Sequence, residues 1–259
     1  MNETVAPNED SGRRAALPSQ YDEWPVSSRL VRCRWEQVIS RIGDYEQRVL
    51  PDGCADVLVD ALGGVVVVGP TPHPAVVKLS PGTAYRCLRL RPGAVRSVFG
   101  LPAQHLTNQV LRLEDVTGNE TTRLLTRAAL GDELALIRLE GLWGELPVDP
   151  RVPGALAWLG QHPDRDISDL ALAAGLSSRQ LRRLLIDHAG LGPKSFQRVF
   201  RLHHFLRAAE QPRSTTDGLA ELATRTGYAD QAHLSREVRA LAGLPPVALL
   251  RERFATRDA

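Results

Sequence analysis

Hydrophobic and polar positions along the chain change period near its middle. Between residues 30 and 91 the text is strand-like: Val31, Cys33 and Trp35 alternate with Arg32, Arg34 and Glu36, the period of a half-buried strand. Residues 54–60 and 65–68 form short β-rich runs on either side of Gly63-Gly64, a hairpin turn signal. Val76 to Leu79 and Tyr85 to Leu90 continue the series, punctuated by Pro70, Pro72, Pro74, Pro81 and Gly82. Short strands with frequent turns predict a small barrel or sandwich. Residues 102–111 and 120–146 then read as helical; in the second, Leu136, Leu139, Trp143 and Leu146 share one face. That stripe reads as core in preference to a dimer seam. Pro147, Pro150 and Pro153 mark an interdomain linker, and everything after it reads as helix.

The division predicted is a disordered tail over 1–20, a sensor or dimerisation domain over 21–146, a linker over 147–153 and an all-helical domain over 154–259. The fold class is α+β, an N-terminal β-barrel with helices followed by an all-α domain. At 259 residues the chain is long enough for two such cores.

Within the helical half lies an internal repeat. Ala171, Gly175, Leu176 and Ser177 precede Arg179, Gln180, Leu181, Arg182 and Arg183; Ala223, Gly227 and Tyr228 precede Asp230, Gln231, Ala232, His233, Leu234 and Arg236. A steep crossing of two helices through a short turn needs a residue that tolerates positive φ, which Gly175 and Gly227 supply. Close approach of the helices needs the small Ala171 and Ala223. Ser177 and Asp230 are the expected N-caps. Leu181 and Leu234 then face the core, leaving arginine and glutamine outward, the chemistry of a helix that reads a major groove. Between the copies, Gly190 to Pro193 ends one helix and starts a linking helix expected to run to about Glu210.

Charge sharpens this reading. The net charge of +2 hides an asymmetry: from Arg151 onward sixteen basic residues face eleven acidic ones, so the basic surplus lies in the helical half. Lys78 and Lys194 are the only lysines, which reflects composition as much as function. Cys33, Cys54 and Cys87 are an odd number without CxxC spacing, which disfavours a disulfide framework and favours a reducing cytosol. No apolar run approaches the roughly 20 residues that cross a bilayer, and residues 1–20 lack a signal-peptide layout.

Residues 167–253 resemble the DNA-binding domain of the AraC/XylS family of transcription regulators. The resemblance rests on Ala220, Ala223, Gly227-Tyr228, Asp230-Gln231, His233-Leu234, Arg236-Glu237 and Gly243-Leu244-Pro245-Pro246. Val238 and Leu185 stand where the family places aromatic residues, which softens packing only. The resemblance implies that Arg179, Gln180, Arg182 and Arg183 from the first copy, and Gln231, Ala232, His233 and Arg236 from the second, approach promoter DNA in successive major grooves, about 34 Å apart. Arg182 and Arg236 are the preferred base contacts. Residues 50–58 and 90–108 resemble the N-terminal domain of one subgroup, implying a degenerate cupin-like barrel. Such relatives respond to a small-molecule effector, dimerise, or do both, and contact RNA polymerase.

The rival readings are a DNA-repair alkyl transferase, which needs a reactive cysteine, and a protein-binding adaptor, which needs acidic or apolar recognition helices. Cys54 reads as an inert strand residue in preference to a sensor thiol, and His203-His204 as a helix surface in preference to a metal pair. His73 and His105 do not make a metal-binding cluster. No catalytic residue, metal or cofactor is expected.

Overall fold

A computed structural model describes residues 19–39, 45–144, 149–211 and 218–255. The N-terminal half is built on a six-stranded antiparallel sheet in the order β1-β2-β7-β4-β5-β8. Its strands are β1 (Ser19–Pro25), β2 (Val31–Ile39), β4 (Ala55–Val59), β5 (Val65–Val68), β7 (Ala84–Leu90) and β8 (Val110–Arg112). A separate two-stranded ribbon pairs β3 (Tyr45–Val49) with β6 (Ala75–Leu79). The antiparallel β-domain expected here is thus a six-stranded sheet with a two-stranded ribbon, and no ladder joins the two among the described residues.

One face of the sheet carries Val31, Val57, Val59, Val67, Leu88 and Leu90. It is covered by α1 (Val95–Phe99), α2 (Asn119–Ala129) and α3 (Glu133–Gly144). Leu139 and Trp143 of the apolar stripe are buried there and Leu136 packs against them, so these residues are core; Leu146 lies outside the described residues.

The structure differs from the sequence reading in several places, strands β1 and β3 among them. Residues 102–111 are not a helix. A 3-10 turn at Ala103–His105 leads to Asn108, at φ 60°, and the chain then enters β8, where Val110 pairs with Val68. The helix read across 120–146 is two helices, parted where Gly131 turns at φ 99° and the Asp132 carboxylate accepts the Ala135 N–H at 3.1 Å. Ser19 and Gln20, read as tail, begin β1, while residues 1–18 lie outside those described. The stretch read as linker overlaps α4 (Arg151–Gln161).

The helical half continues with α5 (Ile167–Ala173), α6 (Ser178–Ala189), α7 (Pro193–Ala209), α8 (Leu219–Arg225), α9 (Gln231–Ala242) and α10 (Pro246–Ala255). It has two cores. Leu156, Leu159, Leu170, Leu181 and Leu185 gather around Phe196, near the start of α7. Leu222, Tyr228, Leu234, Val238 and Leu241 gather around Leu202, Phe205 and Leu206, near its end. A single 17-residue helix thus plants one end in each core, which fixes the separation of the two units.

Candidate nucleic-acid interface

The two units close by the same devices. Gly175 and Gly227 turn at φ 64° and 82°, where a Cβ would be strained. At Gly227 space also matters, because a Cβ would come within 3.0 Å of the Asp164 Cβ. Ser177 caps α6 in a full capping box: its Oγ accepts the Gln180 N–H, and Gln180 Oε1 accepts the Ser177 N–H at 2.8 Å. Asp230 caps α9 by accepting the His233 N–H at 2.6 Å. Ala171, Ala223, Leu181 and Leu234 are all buried, the two leucines completely.

Polar groups of α7 brace the assembly from within. Buried Arg201 donates from Nε and Nη2 to the Pro163 carbonyl, at 3.2 and 2.7 Å, and stands 5.4 Å from the centre of the Tyr228 ring. Buried Gln197 donates to the Arg165 carbonyl at 2.5 Å. Arg198 pairs with Glu237 of α9 at 2.8 Å. The loop before the first unit is therefore tied to the turn of the second.

What remains outside is basic. Arg179, Arg182 and Arg183 on α6, and Gln231, Ala232 and Arg236 on α9, are exposed. None of these arginines forms an ion pair among the described residues. Unpaired guanidinium groups have no internal partner to surrender before meeting a phosphate or a base. Arg183 lines a cleft of about 370 Å³ with Arg151, Leu176, Gln180, Leu184 and Asp187. Arg151 is already held by Asp149 and Asp187 by Arg96, so Arg183 is the cation left open in that cleft.

Two residues expected at this surface have partners within the protein. Gln180 is exposed, but its carbonyl oxygen is committed to the cap, with Ser177 Oγ a further donor at 2.9 Å. His233 is half-buried: its ring packs edge-on against Tyr228, centroids 5.5 Å apart, and Nδ1 accepts the Ala229 N–H at 3.3 Å. It closes the turn. Arg239, which the sequence reading passed over, is exposed one turn beyond Arg236 on the same face as Ala232. The signal was available as the spacing of three residues from Arg236 and seven from Ala232.

The β-domain docks behind this surface. Asp187, in the last half of α6, pairs with Arg96 at 2.9 Å, and the Gly190 carbonyl accepts from Thr107 Oγ1 at 2.9 Å. Arg48 of the ribbon forks onto Glu252 of α10 and donates to the Ala242 carbonyl. The first half of α6 and the outer face of α9 stay open.

Comparison with known proteins agrees with this architecture. Residues 170–252 match a family described as "Helix-turn-helix domain", and residues 28–112 one described as "Domain of unknown function (DUF6597)". Over 148 residues the chain is 31% identical to the HTH-type transcriptional activator RhaS of Escherichia fergusonii, covering 55% of this chain and 52% of that protein. Over 134 residues it is 28% identical to RhaS of Enterobacter sp. (strain 638), covering 51% and 43%. The chain thus spans about half the length of the curated relatives it matches. A solved structure of ToxT from Vibrio cholerae is 10% identical with a TM-score of 0.43, over 90% of this chain and 98% of that one. Unsaturated fatty acid-bound ToxT gives 11% and 0.40, over 90% and 94%. Two capped units in series on one linking helix lie within the span matched by the helix-turn-helix family, in agreement with the resemblance of this domain to AraC/XylS regulators.

Proposed function

We propose that this protein is a transcription regulator that binds promoter DNA by laying α6 and α9 in successive major grooves. One observation carries the reading: two helices with matching caps present arginines that are exposed and unpaired, and both are fixed to the same linking helix. In this reading Arg182 and Arg236 meet base edges, and Arg179, Arg183 and Arg239 meet phosphates. Gln231 and Ala232 lie at the N-terminal end of α9, where a recognition helix reads bases. Gln180 and His233 hold the geometry.

The protein acts by binding, without chemistry of its own. An alkyl-transfer role needs a reactive thiolate, whereas Cys33, Cys54 and Cys87 are buried and burial raises all three thiols above their ordinary value. Buried, unlinked cysteines suit a reducing cytosol. No helix among the described residues is long and apolar enough to cross a membrane. RNA polymerase and a small-molecule effector are the proposed partners besides DNA; the names of the RhaS relatives make activation the favoured sign of regulation.

Fluorescence anisotropy in rising salt, with nuclease footprinting, on DNA from upstream of its own and neighbouring genes tests the reading. A footprint covering two adjacent major grooves is expected. If six or more phosphates are neutralised, affinity should fall by roughly a thousandfold or more between about 50 and 200 mM salt. Salt-independent binding, or none to any of these sequences, would remove the proposal.

A further inference from the structure

The two cores of the helical half are separate clusters, each gathered on its own stretch of α7. The helix fixes how far apart they stand. It does not fix how far one unit is rotated about the helix axis relative to the other, because apolar contact carries no direction. A second device is needed to set that phase, and one is present.

It is a row of polar side chains on one face of α7, set where the loop before α5 meets the turn before α9. Lys194 Nζ donates to Gln197 Oε1 at 3.0 Å, and Gln197 in turn donates to the Arg165 carbonyl. Arg201, one turn further on and only 6% exposed, forks onto the Pro163 carbonyl. Its guanidinium also lies over the ring of Tyr228, which follows Gly227 in the second unit. Asp164, between Pro163 and Arg165, is so close to Gly227 that a Cβ there would stand 3.0 Å from its own. One arginine is thus bonded to the approach to the first unit and laid on the turn of the second.

Stability alone does not account for it. Arg201 has no carboxylate partner among the described residues. A buried cation without a counter-ion is costly, and a well-packed apolar side chain would fill the same space at lower free energy. What the guanidinium adds is direction: two N–H groups on one carbonyl, with a ring against the planar face, define a single arrangement. The pairs Arg96–Asp187 and Arg48–Glu252 also reach the two units from the β-domain, but at the solvent edge, where water competes.

We propose that Arg201 is a positioning residue that sets the phase between α6 and α9, and so the number of base pairs between the two stretches of DNA they read. The spacing rests on the regulator reading. On a duplex of about 10.5 base pairs per turn, one added base pair moves the second groove by about 3.4 Å and turns it by about 34°. A chain held in one phase cannot follow both changes, whereas one released at Arg201 can.

Two measurements on the full chain test this. The first uses spin labels at Ser178→Cys and Ala240→Cys, exposed positions on α6 and α9, without DNA; the native cysteines are buried. Double electron–electron resonance should give a narrow distance distribution, broadened in Arg201→Met and less so in Arg201→Lys, which keeps the charge without the fork. The lysine variant serves if the methionine variant fails to fold. The second compares affinity for the footprinted site with that for the same site carrying one extra base pair between the two contacted grooves. The unaltered chain should lose roughly tenfold or more on the altered site, and the Arg201 variants should bind the two nearly alike. An arginine needed only for folding would lower the unfolding midpoint and leave the distances and the spacing preference as they were, which overturns the proposal. So does a broad distribution in the unaltered chain. Failure of the unaltered chain to bind any DNA would instead strike the regulator reading, with the label distances still deciding whether Arg201 holds the phase.

Discussion

His203, in the helix that joins the two helix-turn-helix units, donates from Nε2 to the carbonyl oxygen of Pro51, in the β-domain, at 2.8 Å. One imidazole therefore bridges the two halves of the chain. Burial holds its pKa below the ordinary histidine value, helped by Arg207 and Arg253 and opposed by the Pro51 carbonyl and Asp52. The sign follows by linkage. Above about pH 6.5 both folded and unfolded chains hold the ring neutral. As pH falls through that value the unfolded chain takes up the proton first, so stability declines until the folded-state pKa is reached. His188 and His204 are shifted the same way, also by burial. Urea unfolding should therefore show a lower stability at about pH 5.5 than at about pH 7.5. His203→Gln, whose amide can still donate to Pro51, should flatten part of that slope. An unchanged slope in the variant would show that His203 contributes none of it.

A second contact between the domains tests whether they are one cooperative unit. Gly53 turns at φ 77°, and a Cβ there would stand 2.4 Å from Cε1 of Phe196, which is fully buried in the first core of the helical half. Gly63 turns at a similar φ of 81° with nothing within 4 Å. Gly63→Ala should cost only the backbone strain, about 1–2 kcal/mol. Gly53→Ala adds the clash and should cost more, with the loss felt in the helical domain. Equal midpoint shifts in denaturation would mean that the domains yield to one another at no expense.

Much of the helical half could be read from the sequence because its devices are local. Glycine at the turn, serine or aspartate at the cap and alanine at the crossing act over a few residues, and each was legible at a fixed offset. The β-domain was less so. Strands β1 and β3 were missed because most of their described side chains are solvent-facing or only half-covered, so apolar and polar residues need not alternate. The break at Gly131-Asp132 was in plain sight as a turn glycine followed by a capping acid, but the apolar density on both sides hid it. The helix read at 102–111 failed because Val110 and Leu111 satisfy their main chains on the β5 edge, a pairing distant in sequence. The docking of the halves through Arg48, Gly53 and His203 depends on tertiary geometry, which periodicity does not carry.

Gln180 separates a structural from a reading role. Its carbonyl oxygen completes the cap with Ser177, so Gln180→Ala should lower stability, by less than the 0.5–2 kcal/mol or so expected for Ser177→Ala. Its effect on DNA affinity should be the same on every sequence. Selection experiments with randomised sites would show it: a changed base preference in Gln180→Ala would return this residue to the reading surface.

Arg236 and His233 supply the sharpest contrast within one helix. Both lie on α9, yet Arg236 projects from the exposed face without an ion pair among the described residues, whereas His233 is folded back onto Tyr228 and the Ala229 N–H. If the exposed side chain reads a base, Arg236→Ala should weaken cognate binding by about 1–3 kcal/mol and relax preference at one position, while leaving non-specific binding close to its original strength. His233→Ala should act through the turn, lowering the unfolding midpoint and weakening cognate and non-cognate DNA alike. If Arg239 meets a phosphate, Arg239→Ala should weaken all sequences and make the salt dependence shallower by about one unit. Measuring the three variants on cognate and scrambled duplexes distinguishes these roles. Uniform loss in Arg236→Ala would reassign it to the backbone, and a sequence-specific loss in His233→Ala would show that the ring leaves Tyr228 when DNA is bound.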